Sequence, residues 1–196
     1  HCLYQSYNDA FKEEYTGGFD VVIGNPPYGA KLNIEVKENL SLIYSCYKEN
    51  YDIYSAFMQL AFQLNKPNGI WGYIIPVSWQ SGEKYLSIRQ YLLSNGKLEI
   101  GIKLPYDVFE DAYVDTGIYI IRNVKSNSYS SLVYEFPAKY KYYGDLVTDI
   151  NLKVLPFEYW SNLESKKIVL NPSFYELLPK VFNNTFPLDN ITYSIR

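Results

Sequence analysis

The chain has 196 residues, 47% of them hydrophobic and 18% aromatic, with 22 tyrosines and a formal net charge of −3. That length and apolar content specify a globular domain with its own core and exclude a disordered chain. The acidic balance argues against a free-standing nucleic-acid binder, the two cysteines exclude a disulfide framework and point to a reducing cytoplasm, and the single histidine, His1, excludes a His/Cys zinc site and a Ser-His triad.

Residues 1–18 are polar and mixed and end in Gly17-Gly18. Phe19-Asp20-Val21-Val22-Ile23-Gly24 follows, a β-branched run closed by glycine, and predicts a strand buried on both faces. Asn25-Pro26-Pro27-Tyr28-Gly29 stands at its carboxyl end. A helix is expected over residues 34–47. Tyr54, Phe57, Met58, Ala61 and Leu64 recur at helical spacing and predict an amphipathic helix over residues 53–64, stopped by Pro67-Asn68-Gly69. A strand is expected over 70–75, ended by Pro76, then a helix over 83–93 stopped by Asn95-Gly96. Residues 98–104 and 116–122 read as two further strands. Strands alternating with helices argue for an α/β layered sheet. Only the loop 105–115 joins the last two strands, too short for a parallel crossover, so they are expected to be antiparallel. Residues 123–131 read as a polar turn or linker and 132–136 as a strand. Over 168–182 Pro172 and Pro179 are expected to limit helix length. The tyrosines are expected to be mostly half-buried, packing the ring while the hydroxyl keeps a polar partner. No run is long and apolar enough to span a membrane, so no membrane partner is expected.

The tetrapeptide Asn25-Pro26-Pro27-Tyr28 carries the chemistry. In an open α/β sheet, ligands bind beyond the carboxyl ends of strands. Asn25 offers a side-chain carbonyl acceptor and an amide donor. Pro26 precedes a proline and is pushed toward extended backbone, and Pro27 has a fixed φ. The Pro26 carbonyl is therefore held rigidly outside any helix. The Asn25 side chain and that carbonyl can converge on one NH2 group, with the flat face of Tyr28 beside them. The exocyclic nitrogen of adenine is a poor nucleophile because its lone pair is delocalised into the ring. Two acceptors on its N–H bonds favour a pyramidal nitrogen and stabilise developing positive charge, and the proton can leave after methyl transfer. A Pro-Pro turn alone is ordinary; the full tetrapeptide behind a β-branched strand is what points to this chemistry.

Residues 19–29 resemble the catalytic block of amino-methyltransferases acting on DNA adenine, above all the large type IIG and related restriction-modification enzymes. Three further blocks agree in order: Tyr51-Asp52-Ile53-Tyr54-Ser55-Ala56-Phe57, Gly69-Ile70-Trp71-Gly72-Tyr73-Ile74-Ile75-Pro76, and Val108-Phe109-Glu110-Asp111-Ala112-Tyr113-Val114-Asp115-Thr116. Together the likeness covers roughly residues 19–122. It implies a partial Rossmann-like methyltransferase sheet and transfer of a methyl group from S-adenosylmethionine to N6 of an adenine flipped out of double-stranded DNA. It also implies roles. Asn25 and Pro26 would hold the amine, Tyr28 and Phe109 would pack on the extruded base, and Pro27 and Phe57 would touch the adenine of the cofactor. Phe57 serves equally well as a core residue on its helix, and Phe109 as a loop anchor.

The family's Gly-rich cofactor loop and its acidic cofactor ligands have no counterpart here; Asp9 and Asp20 stand in the wrong places. Residues 1–125 are therefore expected to be the second half of a catalytic domain whose N-terminal cofactor-binding half lies upstream. Residues 126–196 are expected to lead to a target-recognition domain, with Phe186-Pro187-Leu188-Asp189-Asn190-Ile191 resembling its entry. The same tetrapeptide also serves methyltransferases of RNA bases and of protein glutamine, and a truncated DNA-binding remnant is a further alternative. Phe109 in its block and the Lys/Tyr-rich tail favour DNA.

Overall fold

The computed structural model describes residues 17–108, 114–137, 150–163 and 165–183. Among these residues six strands form one mixed sheet: β1 (Phe19–Gly24), β2 (Asn65–Pro76), β3 (Lys97–Lys103), β4 (Thr116–Arg122), β5 (Ser130–Glu135) and β6 (Lys153–Pro156), in the spatial order β1-β2-β4-β3-β5-β6. β1 runs parallel to β2 and β3 parallel to β5. β4 is antiparallel to both β2 and β3, so the expected antiparallel pair is present. The spacing did not reveal that β4 enters between β2 and β3, with Tyr73 opposite Tyr119 and Ile102 opposite Ile118. Residues after 125 continue the same sheet: β6 pairs antiparallel with β5, and Val133, Leu155 and Trp160 join the core of the earlier strands.

Among the described residues the longer helices are α1 (Ile34–Ile43), α2 (Ile53–Leu64), α3 (Leu86–Asn95) and α4 (Pro172–Asn183), with single-turn helices at Ser78–Ser81 and Glu158–Ser161. α2 and α3 bury one sheet face. Along β2 Trp71, Tyr73 and Ile75 are buried and alternate with half-buried Ile70, Gly72 and Ile74, the period of a strand with one well-covered face. Trp71 meets the edge of Phe62 at 5.4 Å, and Trp79 meets Tyr119 at 4.9 Å. Met58, Ala61, Ile88 and Leu92 complete this core. On the opposite face Ile102, Leu104 and Phe136 make a smaller cluster with Ile74 and Ile118 around it.

Four expectations need correction. β1 is not buried on both faces: among the described residues Val21 is 50% and Ile23 82% exposed. α1 ends at Ile43 rather than at residue 47, because Gln59 of α2 accepts the Cys46 amide (3.0 Å) and draws the chain into a turn that buries Cys46 and Tyr47. Residues 67–69 do not separate α2 from a later strand. β2 starts at Asn65 and takes Asn68 in at φ 66, with an irregular register against β1. α4 runs twelve residues, with Pro172 in its first turn, where a missing amide costs nothing, and Pro179 within it. Gly18, at φ +116, lets the chain pass the end of α2; a Cβ there would stand 2.5 Å from the Lys66 amide nitrogen. Among the described residues no helix is long and apolar enough to cross a membrane.

Several tyrosines are more deeply buried than the half-buried norm: Tyr47, Tyr54 and Tyr119 are fully enclosed, and Tyr73 and Tyr175 nearly so. Burial pushes the hydroxyls of Tyr73, Tyr129 and Tyr175 up from 10.0 to about 12, because the phenolate would be desolvated. The folded chain keeps these protons between 10.0 and about 12 while the unfolded chain gives them up. Their contribution to stability is thus full below pH 10 and is lost as pH rises toward 12. In a spectrophotometric titration, Tyr73→Phe should leave the phenolate signal developed by about pH 11 unchanged in the folded protein. It should reduce the signal in denaturant. A smaller signal in the folded variant at that pH would contradict the burial effect.

Candidate active site at the carboxyl end of the sheet

β1 ends at Gly24, which lies in register with Tyr73 of β2; a Cβ on Gly24 would stand 3.1 Å from the Tyr73 ring. The turn that follows therefore starts from a fixed point. Asn25 is exposed, Pro26 buried, Pro27 exposed and Tyr28 half-buried against the main core. Buried Pro26 anchors the turn, while the side chain of Asn25 stays open to solvent. Asn25 also borders an apolar hollow on the less covered sheet face, lined by Val21, Ile23, Ile70 and Ile118. Gly29 closes the turn at φ +67 with open space where a Cβ would be, so its requirement is for left-handed backbone rather than for room.

α2 is brought to this turn by Asp52. The Gly29 amide donates to Asp52 Oδ1 at 3.4 Å, and the Tyr85 hydroxyl donates to Asp52 Oδ2 at 3.0 Å. Tyr85 stacks over Tyr54 with ring centroids 6.0 Å apart, and the Tyr54 hydroxyl lies 2.9 Å from Ser78 Oγ in the turn after β2. Asp52 holds the N-cap position of α2 yet makes no side-chain cap bond, forgoing a contact worth about 1 kcal/mol. Tyr51 before it stands at φ 54, a left-handed conformation that costs an ordinary residue about 1–2 kcal/mol.

Of the residues expected at the site, Asn25, Pro26, Pro27 and Tyr28 share one turn. Phe57 lies one turn along α2 from Asp52, half-buried against the core. Phe109 lies outside the described residues. The ends of its loop return to the same sheet edge: Pro76 pairs with Thr116, and the Val77 amide donates to the Asp115 carbonyl at 2.9 Å. Sequence reasoning missed Asp52, Tyr54, Ser78 and Tyr85 as parts of the site. Asp before a helix looks like an ordinary cap, which concealed it. Among the described residues no group of three or more His, Cys, Asp or Glu is placed to hold a metal ion.

A mixed sheet with the antiparallel strand β4 inserted between β2 and β3, and an Asn-Pro-Pro-Tyr turn at the carboxyl end of a parallel strand, defines a methyltransferase-type α/β domain. The fold is shared with a chain from a type I restriction-modification system at a TM-score of 0.60 and 16% identity, over 85% of this chain and 42% of that one. It is also shared with the type ISP restriction-modification enzyme LlaGI at a TM-score of 0.56 and 12% identity, over 85% of this chain and 19% of that one.

The family model described as Eco57I restriction-modification methylase matches residues 4–109, and the chain belongs to this family. A Methanocaldococcus jannaschii protein assigned as a type II restriction enzyme and methyltransferase is 35% identical over 188 residues, covering 94% of this chain and 14% of that protein. The Escherichia coli type II restriction enzyme and methyltransferase RM.Eco57I is 27% identical over 180 residues, covering 88% of this chain and 17% of its own length. The chain thus spans about one sixth or less of these two relatives.

Proposed function

We propose that this chain is part of the catalytic domain of a restriction-modification enzyme that methylates N6 of adenine in double-stranded DNA, with S-adenosylmethionine as methyl donor. The observation that carries the reading is the Asn-Pro-Pro-Tyr turn, rigid at both ends and leaving Asn25 exposed at the carboxyl edge of the sheet. When bound, S-adenosylmethionine supplies an electrophilic methyl group on a sulfonium centre. The residues present fit part of that cofactor: exposed Pro27 and half-buried Phe57 offer apolar surface suited to its adenine. The rest of its site we assign to the larger protein, as the share of the relatives covered supports. DNA recognition is assigned there too, reached through residues 126–196, since a net charge of −3 gives this chain little pull on phosphate.

In the proposed reaction the Asn25 side-chain oxygen and the Pro26 carbonyl accept the two N–H bonds of the target amine. They favour its lone pair and stabilise the positive charge that develops as the nitrogen is methylated. The proton leaves afterwards, so no general base has to act first. Tyr28 stacks on the flipped base, and Phe109 packs against it from the other loop.

The test is product identity in the full-length protein. Incubation with S-adenosylmethionine and duplex DNA should yield N6-methyladenine in nucleoside digests analysed by mass spectrometry. Methyl groups found only on RNA bases or on protein glutamine would replace this reading. Once the methylated position is mapped, 2-aminopurine placed there should brighten on binding. Tyr28→Ala should weaken that flipped complex about 5–150-fold, the equivalent of ~1–3 kcal/mol of stacking. An unchanged signal and affinity would remove the stacking role.

A further inference from the structure

We infer that Asp52 is a positioning residue for methyl transfer, clamping the far end of the Asn-Pro-Pro-Tyr turn; the inference rests on reading that turn as catalytic. The turn needs an outside anchor for a chemical reason. Pro26 and Pro27 have no amide hydrogen, so neither can be tied down through its nitrogen. Beyond them the Gly29 amide takes the tie, and it donates to Asp52 Oδ1 at 3.4 Å. With Gly24 held in register by Tyr73, the turn is fixed at both ends, and the place of the Asn25 side chain and of the Pro26 carbonyl follows.

The corner that carries Asp52 is wired to aim this carboxylate. Asn50 Oδ1 accepts the Asp52 amide and the Ser55 hydroxyl, each at 2.8 Å, while Asn50 Nδ2 donates to the Cys46 carbonyl at 2.8 Å. The first turn of α2 is closed by the main-chain carbonyl of Asp52, which accepts the Ser55 amide at 3.0 Å and shares the one Ser55 hydroxyl proton, at 2.7 Å, with Asn50 Oδ1. The carboxylate, released from capping, reaches instead to residues 23 and 33 positions away. A left-handed Tyr51 held in place by such a network is the kind of local strain that over-determined functional corners retain. Tyr85, stacked on Tyr54, fixes the second carboxylate oxygen, so the clamp joins the turn after β1, the start of α2 and the segment before α3.

Steady-state kinetics of the full-length protein with duplex DNA and S-adenosylmethionine test this. A displacement of about 1 Å at the reacting group costs on the order of 10²-fold in rate. Asp52→Ala should therefore lower kcat about 10–100-fold and leave KM for the cofactor within about twofold. Asp52→Asn keeps an oxygen for the Gly29 amide and a polar partner for Tyr85, and should recover kcat to within about fivefold of the unmodified protein. Tyr85→Phe, which keeps the stacking and removes one bond to the carboxylate, should lie between them. An unchanged kcat in both Asp52→Ala and Tyr85→Phe overturns the inference. So does an equal loss in the Ala and Asn variants that tracks a fall in Tm, since that is the behaviour of a merely structural carboxylate. The catalytic reading fails separately, if Asn25→Ala methylates DNA as fast as the unmodified protein.

Discussion

Asn25→Ala is expected to slow methyl transfer by about 10²–10³-fold, the usual cost of losing one preorganised group that stabilises transition-state charge. The variant removes the side-chain carbonyl that is proposed to accept one N–H of the target amine, and leaves the Pro26 carbonyl to act alone. The fold should be untouched. Asn25 is exposed, and the turn is held by buried Pro26, by the Gly24–Tyr73 register and by the Gly29–Asp52 bond; exposed substitutions of this kind usually change stability by under about 0.5 kcal/mol. Single-turnover methylation measured beside a thermal melt separates the two effects. A folded Asn25→Ala protein with full activity would remove the proposed chemistry.

Arg89→Ala should produce the largest loss of stability, about 3–5 kcal/mol. Arg89 lies on α3 and is 1% exposed. Its Nη1 donates to the carbonyls of Trp79 at 2.9 Å and Gly82 at 2.7 Å, and its Nε donates to the Ser165 carbonyl at 3.2 Å. It thereby joins the turn after β2 to a segment beyond β6. Truncation takes the guanidinium donor from the Trp79 and Ser165 carbonyls, leaves the Gly82 carbonyl with the Tyr85 amide alone, and opens a cavity in the core face; each unsatisfied buried group costs about 1–3 kcal/mol. Lysine should recover only part of this, because a single ammonium does not reproduce the planar fork of the guanidinium. Urea unfolding followed by circular dichroism should show a lower midpoint at an unchanged slope. A loss below about 1 kcal/mol would mean that water replaces the guanidinium.

Much of the site could be read before any coordinates. Pro26 and Pro27 restrict their own backbone wherever they stand, and a β-branched run ending in glycine forms a strand from local preference, so the Asn-Pro-Pro-Tyr turn at a strand end was legible. The helical spacing of Tyr54, Met58 and Ala61 located α2 to the residue. The shortness of the loop before Thr116 determined that β3 and β4 run antiparallel.

What the sequence by itself determined is therefore the elements from β1 to β5, the direction of one strand pair and the Asn-Pro-Pro-Tyr turn at a strand end, because each depends on residues within a few positions of one another; β6, a four-residue strand, carries no such local signal. Only the tertiary structure decided that β4 enters between β2 and β3, that α1 stops where Gln59 captures the Cys46 amide, and that the Asp52 carboxylate leaves its helix for Gly29 and Tyr85. Those outcomes rest on hydrogen bonds and packing between residues 13 to 52 positions apart, from Gln59 with Cys46 to Ile70 with Arg122. An aspartate before a helix has the same local appearance whether its carboxylate caps that helix or reaches across the sheet edge, and only the packed chain supplies the distant donor that decides between them.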